Sequence, residues 1–439
     1  MELQIPFRDF LPEIILCAIA VLIIVLNIVG AKRSVFYVVI AGLLLQLFFV
    51  KADVFKIIIC LSTLVTIYMS GRDQRMEYYL LILSVLLGAG LLMTSSGFIM
   101  IILSMEMISL SSYVLTAGST PEKKRAEAAW KFFIYGSAAT AIMIFGMTYL
   151  YGTTGRPYLS AIHSDDNAAL LGSIMTVAGF LFKMTAAPFH LWAPDVYEAT
   201  PTPIIAFLSV VPKLAAFIVV MQWSAAMDVH LTQTVLAVAA IFTIIVGTLA
   251  ALNQSNAKRM MAYSSVAQAG FFLTILLTWS NIIELAVLYS IVFALMNFLV
   301  FIVIHQQEQS GRGTAIADFA NMGYSNPLAA VAITLGLISL IGLPPMAGFM
   351  AKLFVFTSIW SRFSRIHDPI LLTLFVVGLL ATAASLYFYL KIPFYAFFRR
   401  TEVSDPIKIS RTTNLLMLIL VGLLLTLFFV PGLIDGLVI

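Results

Sequence analysis

Five lysines of this chain lie where a lysine is expensive. Lys131, Lys183, Lys213, Lys352 and Lys391 all fall inside long apolar stretches. An ammonium at the centre of a bilayer costs roughly 2.5–3.5 kcal/mol on insertion scales. Lysine is also the cation that gives up its proton on burial, whereas arginine stays charged. The remaining basic residues, with every arginine among them, read as loop or end positions. A buried set made only of lysine points to groups that gain and lose protons. Glu106, in SMEMISLSS, is the one acid well inside an apolar stretch, among serines that can solvate it.

Two of these lysines flank a break. Apolar sequence runs into Lys183, stops at Pro188-Phe189-His190, turns through Pro194, Asp195, Glu198 and Pro201, and re-enters apolar sequence before Lys213. A second interruption, Leu343-Pro344-Pro345, precedes Lys352. Backbone freed by a break at membrane depth must line protein or water, never lipid. The pattern implies a water-lined polar path for protons.

The elements that must position these groups are membrane helices. The chain has 439 residues, 61% hydrophobic and 10% charged, with a net charge of +4. Soluble domains carry about 25% charged residues, so an integral membrane protein is expected, with no large soluble domain and no nucleic-acid partner. Cys17 and Cys60 both lie in apolar runs and offer neither metal-ligand spacing nor a disulfide framework. The N-terminus lacks a basic region and a small-residue cleavage site, so it is expected to lead into a first membrane helix rather than a cleaved signal. No phosphate-binding glycine loop, metal spacing or Ser-His-Asp constellation occurs, so any redox energy must come from another subunit.

About fourteen stretches are long enough to span, from 11–30 to 412–434; the seventh (167–187) runs into the Pro188 break and the twelfth (327–360) is interrupted at 343–345. The expected fold is all-α: three helices over 1–76, a five-helix unit over 77–224, a second over 231–397 and a last helix in 412–439. Five is odd, so spans 4–8 and 9–13 would form an inverted repeat, the common transporter plan. The broken spans 7 and 12 are both fourth in their units and both carry a nearby lysine, Lys183 and Lys352. The fifth members carry Lys213 and Lys391. Even-to-odd loops and the N-terminus hold six basic residues, Arg8, Lys51, Lys56, Arg156, Arg362 and Arg365; the opposite loops hold fourteen, including the Lys123–Arg125 cluster. The positive-inside rule then puts the cluster in the cytoplasm and both termini outside.

Each candidate has a plainer alternative. Lys183, Lys213 and Lys352 could be structural ion-pair members, and Glu106 could be simply paired. Lys131 lies four residues after Glu127 and could be a surface pair. Lys391 could snorkel toward Arg399-Arg400. His190 could relay protons or satisfy loop carbonyls, and His305 lies near a helix end. Asp195 and Glu198 read as solvated or capping groups.

Several stretches carry a family resemblance: SMEMISLSSYVL around Glu106, EAAWKFFIYGSAATAIMIFGMTYLYG with Lys131, FKMTAAPFHLWAPDVYEATPTPIIAFLSVVPKLAAF with Lys183 and Lys213, LNQSNAKRMMAYSSVAQAGF, and SLIGLPPMAGFMAKLFVF with Lys352. From about residue 77 onward the chain resembles the antiporter-like membrane subunits of NADH:quinone oxidoreductase, respiratory complex I. Within them it is most similar to the N-type subunits, the counterparts of mitochondrial subunit 2. The resemblance implies a proton-translocating subunit in a bacterial inner (plasma) membrane. It implies a relay through Glu106, Lys131, Lys183, Lys213 and Lys352, with Lys391, His190 and His305 as further candidates. It places NADH, flavin, iron–sulfur clusters and quinone in partner subunits, with no cofactor or metal here, and it names M-type, K-type and J-type membrane subunits as neighbours. L-type relatives have a long C-terminal lateral helix for which no sequence remains, and M-type relatives carry Glu where this chain has Lys352. Stand-alone multisubunit Na⁺/H⁺ or K⁺/H⁺ antiporters share the PFHLW block and stay open as the alternative. A third possibility, a purely structural spacer, has no cause to retain buried lysines.

Overall fold

A computed structural model describes residues 10–50, 53–72, 74–118, 122–159, 167–226, 229–278, 281–399 and 409–433. The helices run in chain order as α1 (Leu11–Ile28), α2 (Lys32–Phe49), α3 (Val54–Ser70), α4 (Met76–Thr94), α5 (Phe98–Ala117), α6 (Lys123–Thr154), α7 (Asn167–Lys183), α8 (Ala193–Ala199), α9 (Thr202–Ala226), α10 (Val229–Leu252), α11 (Ala257–Ile275), α12 (Ile282–Gln309), α13 (Met322–Ser325), α14 (Pro327–Ile341), α15 (Ala347–Ile366), α16 (Pro369–Phe398) and α17 (Arg411–Phe429). Among the described residues the only β pairing is two isolated bridges, Gly97–Tyr158 and Asn256–Ala315. Lipid offers the backbone no partner, and helices satisfy it internally.

A helix lies on every apolar stretch expected from sequence. Among the described residues nine of them, α1, α4, α5, α6, α9, α10, α12, α16 and α17, are long and apolar enough to cross a membrane. Burial sorts them. The apolar stretch of α9 is 94% buried and that of α12 is 89%, against 28% for α1, α16 and α17. The helix carrying Lys213 therefore stands in the middle of the bundle, while outer helices turn apolar side chains such as Phe48, Ile99 and Leu249 outward.

Three expectations need correction. The seventh stretch stops being helical at Lys183, four residues before its expected end at 187, because the chain turns left-handed at Thr185. Buried basic residues are not only lysines of mid-stretch: Arg362 inside α15 is 4% exposed, and Arg125, Lys56 and Lys258 are also buried. Their positions near helix ends let each guanidinium or ammonium reach carbonyls or carboxylates, which loop-based counting does not see. Nor is Glu106 the one acid inside the bundle, since Glu13 of α1 is buried and pairs with Lys56 of α3 at 2.6 Å. Arg8, Lys51, Arg400 and Lys408, counted for orientation, lie outside the described residues.

Helices α6 and α7 meet backbone to backbone at Gly146 and Gly172. A Cβ built on Gly146 would lie 2.5 Å from the Gly172 carbonyl oxygen and 2.6 Å from the Thr176 nitrogen. Small residues permit this approach, and membrane helices gain dispersion contact from it. This contact fixes the helix that ends in Lys183. Gly146→Ala is expected to destabilise the assembled protein by about 1–3 kcal/mol, the usual effect of overpacking. Gly422, with nothing within 4 Å, is the matched control, and Gly422→Ala should leave thermal denaturation in detergent unchanged or slightly raised, since Ala is the better helix former.

Candidate functional site

Both broken helices end in the same way. At α7, the Ala186 N–H donates to the Leu181 carbonyl at 2.9 Å and the Thr185 N–H to Phe182 at 3.0 Å, with Thr185 at φ 60°. At α14, the Leu343 N–H donates to Ile338 at 3.2 Å and the Gly342 N–H to Ser339 at 3.0 Å, with Gly342 at φ 87°. These are two Schellman motifs, each ending a helix on a left-handed residue. In both, a proline follows three residues later, Pro188 and Pro345. The freed N–H groups beyond the breaks find hydroxyls: Ala187 donates to Thr243 Oγ1 at 3.1 Å and Gly348 to Ser339 Oγ at 3.1 Å. Gly348 must be glycine here, because a Cβ would fall 1.8 Å from the Ser339 carbonyl oxygen.

The lysines meet these helix ends from different sides. Lys183 belongs to the last turn of α7 itself. Lys352 comes from α15 and donates to the Leu340 and Ile341 carbonyls at 3.0 and 2.9 Å, which are the orphan acceptors at the end of α14. In the register of the two motifs Lys352 corresponds to Asp195, not to Lys183. Each cation nonetheless lies at the negative end of a half-helix, where the dipole favours it.

Their surroundings differ. Lys183 Nζ is buried without a hydrogen-bond partner. It is 5.7–5.9 Å from the ring centroids of Tyr113, Phe132 and Phe182, within cation–π range, and within Coulombic reach of Glu106. Lys213 donates to both the carbonyl and the hydroxyl of Ser265. Lys352 lies 4.7 Å over the Phe271 ring.

Helix α11 joins Lys213 to Lys352. Ser265 holds Lys213 and also takes a hydrogen bond from Tyr197 at 3.2 Å. One turn on, Gln268 donates to Leu340, the carbonyl that also receives Lys352. Gln268 accepts from Tyr289, and Ser264 pairs with Tyr389. Positions 264, 265 and 268 share one side of a helix, so one polar ladder spans from α9 to α15.

A second cluster gathers where α6, α8, α11 and α12 meet. Lys131 bridges Glu127 at 2.8 Å and Asp195 at 2.7 Å. Arg259 bonds Asp195 at 2.9 Å and Glu198 at 2.8 Å. Lys258 donates to the Thr200 carbonyl and to Glu308, and Glu308 accepts from Thr202 at the start of α9. The cluster lines an open cavity of about 540 Å³. Burial alone would raise the Asp195 carboxyl, but the bonds from Lys131 and Arg259 outweigh it and hold it below the usual range.

The sequence candidates therefore divide. Lys213 and Lys352 share a ladder, and Glu106 faces Lys183 electrostatically. Lys131 is 40% exposed and belongs to the charged cavity, and its pairing with Glu127 is present. Asp195 and Glu198 are ion-pair members rather than solvated caps. Lys391 donates to the Leu252 carbonyl at the end of α10, a capping position. His190 is buried with a free Nδ1, and His305 donates from Nε2 to the Met69 carbonyl at 2.9 Å. Sequence reasoning missed Ser265, Tyr197, Tyr289 and the Glu13–Lys56 pair. The Ser264-Ser265 step with Gln268 three residues on was the available signal for the ladder. Among the described residues no group of three metal-ligating side chains occurs.

The fold and this arrangement define a class. Residues 95–381 match the family described as NADH:quinone oxidoreductase/Mrp antiporter, TM, and the chain belongs to that family. The chain is 34% identical over 403 residues to "NADH-quinone oxidoreductase subunit N 2" of Chloroherpeton thalassium, covering 88% of this chain and 77% of the relative. It is 32% identical over 474 residues to the subunit N of Chlorobium chlorochromatii, covering 96% and 91%. Among solved structures it matches a chain of respiratory complex I from Thermus thermophilus with bound aureothin, at TM-score 0.85 and 28% identity over 97% of this chain and 98% of that one. A chain of the Mrp complex from Dietzia, at 17% identity and TM-score 0.83, shares the fold. The resemblance carried by the PFHLW and SMEMISLSS stretches is thus the family that matches.

The lowered Asp195 carboxyl sets a pH dependence. Its stabilisation is fully present above the unfolded value of about 4 and is lost as pH falls through the lower folded value. The unfolding temperature of the assembled protein should stay flat from neutral pH to about pH 5 and fall below about pH 4. Asp195→Asn should lower it near neutrality and shrink the acid-side loss; an unchanged acid limb in thermal scans would refute the assignment.

Proposed function

We propose that this chain is the N-type, proton-translocating membrane subunit of an NADH-quinone oxidoreductase, moving protons with energy released by redox chemistry in other subunits. The observation that carries this reading is the α11 ladder, which joins two buried lysines that a passive membrane spacer has no reason to keep. Glu106 tunes Lys183, and a change at the quinone end of the complex alters that pairing. Protons then pass from Lys183 through Lys213 toward Lys352 and out. Lys131, in the charged cavity, stands on the uptake side.

Fourteen crossings in an inverted repeat fit this mechanism. The matched Schellman motifs support the repeat. So does packing: α4 meets α5 and α9 as α10 meets α11 and α16, and α6 meets α7 as α12 meets α14. In that frame 1–76, 77–224, 231–397 and 412–439 are the units. Both termini face outward from a bacterial inner membrane, M-, K- and J-type subunits are neighbours, and NADH, flavin, iron–sulfur clusters and quinone reside in partners. The relatives named subunit N favour this over a stand-alone cation/proton antiporter. Na⁺-dependent pH change in vesicles holding only this chain would reverse that preference.

Positioned proton-transfer groups contribute typically about 10²–10⁴-fold. Lys183→Met in the assembled complex should therefore cut NADH-driven proton pumping at least about tenfold; undiminished pumping sinks the relay. Ser265→Ala removes one of the two acceptors of Lys213 and should slow pumping by a smaller factor than Lys213→Met, with assembly intact on native gels.

A further inference from the structure

Helices α5 and α11 begin with the same backbone joint. At α5 the Phe98 N–H donates to the Pro157 carbonyl at 2.9 Å and the Leu159 N–H to the Ser96 carbonyl at 3.0 Å. At α11 the Ala257 N–H donates to the Thr314 carbonyl at 2.9 Å and the Ile316 N–H to the Ser255 carbonyl at 2.8 Å. These bonds form the two isolated bridges, Gly97–Tyr158 and Asn256–Ala315. Gly97 therefore matches Asn256, and each helix starts one residue later. Both first turns close alike, with Ile101 donating to Gly97 and Met260 to Asn256. Nine residues past each bridge stand Glu106 and Ser265. The two Schellman motifs give a second register. Leu181 and Ala186 match Ile338 and Leu343, so Lys183 matches Leu340.

Where the first half has Glu106 and Lys183, the second half has Ser265 and Leu340. Both charges are missing together, and each uncharged position is bonded by a cation from another helix. Lys213 of α9 donates to the carbonyl of Ser265 at 2.6 Å and to its hydroxyl, and Lys352 of α15 donates to the Leu340 carbonyl. Ser265 is 1% exposed and Lys213 is fully buried. Tyr197 of α8 also donates to the Ser265 hydroxyl, and the α12 side of the ammonium faces the Phe293 ring at 5.4 Å. Among the described residues no carboxylate pairs with Lys213. A hydroxyl oxygen accepts from an ammonium or from a neutral amine. A carboxylate in its place would favour the ammonium by a factor of about 10–1,000.

We propose that Ser265 is a positioning residue for Lys213 whose role requires it to be uncharged: it stands at the acid position of the second half, holds the lysine in either protonation state, and leaves it able to release its proton. Glu106 and Ser265 then have opposite tasks at one structural position. The acid holds charge at Lys183, and the hydroxyl lets charge pass at Lys213. This inference rests on the relay reading given above.

The test compares variants of equal shape and different charge in the assembled complex, by NADH-driven proton pumping in vesicles, with assembly checked on native gels. Ser265→Asp should pump at least about tenfold more slowly than Ser265→Asn. Ser265→Thr, which keeps the hydroxyl, should pump faster than either. Phe293→Glu and Phe293→Gln bring the same comparison to Lys213 from α12 while removing volume, so the test stays decisive if the larger side chains at 265 prevent assembly. There too the acid should be at least about tenfold slower. Equal pumping within both the Asp–Asn and the Glu–Gln pairs would overturn the proposal. Lys213→Met separates the two readings. If it pumps like wild type, the relay itself fails; if it is slow while each acid matches its amide, only the role of Ser265 fails.

Discussion

A helix that stops inside a bilayer leaves carbonyls and N–H groups that lipid cannot satisfy. This chain stops two helices inside its bundle, and much of its interior is arranged around that debt. The Schellman turns at Thr185 and Gly342 settle part of it. Hydroxyls from Thr243 and Ser339 settle more. At α14 the last two carbonyls are left for Lys352. A buried ammonium and a broken helix are each unfavourable alone. Together they satisfy one another, so the lysine and the break belong to one device.

That device explains what could be read in advance. Prolines at 188, 344 and 345 and lysines at 183 and 352 are visible in any reading of the chain, because prolines end helices and lysines are rare in apolar runs. The PFHLW and SMEMISLSS stretches carried the family. What could not be read was which lysine reaches which helix end. Lys183 and Lys352 look equivalent in sequence, yet one lies on the first half-helix and the other on the second. Only the turn register distinguishes them.

The ladder on α11 was legible in part. Ser264, Ser265 and Gln268 are visible as polar residues in an apolar helix, but their role as a ladder is not, because a serine in a membrane helix usually bonds its own turn. The ion pairs were harder still. Asp195 and Arg259 are 64 residues apart, and Glu13 and Lys56 are 43 apart. Charge counting assigned Lys56 and Arg259 to loops, and Asp195 read as solvated or capping; tertiary packing turned them into joints between helices.

The number of hydrogens on each buried nitrogen has a consequence. An ammonium carries three N–H donors and a neutral amine two. Lys213 and Lys352 each meet two protein acceptors. Either side chain can therefore release its third hydrogen and keep both anchors, with its lone pair turned toward the place the proton left. A proton lost at either site would break neither bond. Lys183 has no such anchors and rests instead among the rings of Tyr113, Phe132 and Phe182. Of the three, it alone would lose no hydrogen bond to the protein by turning.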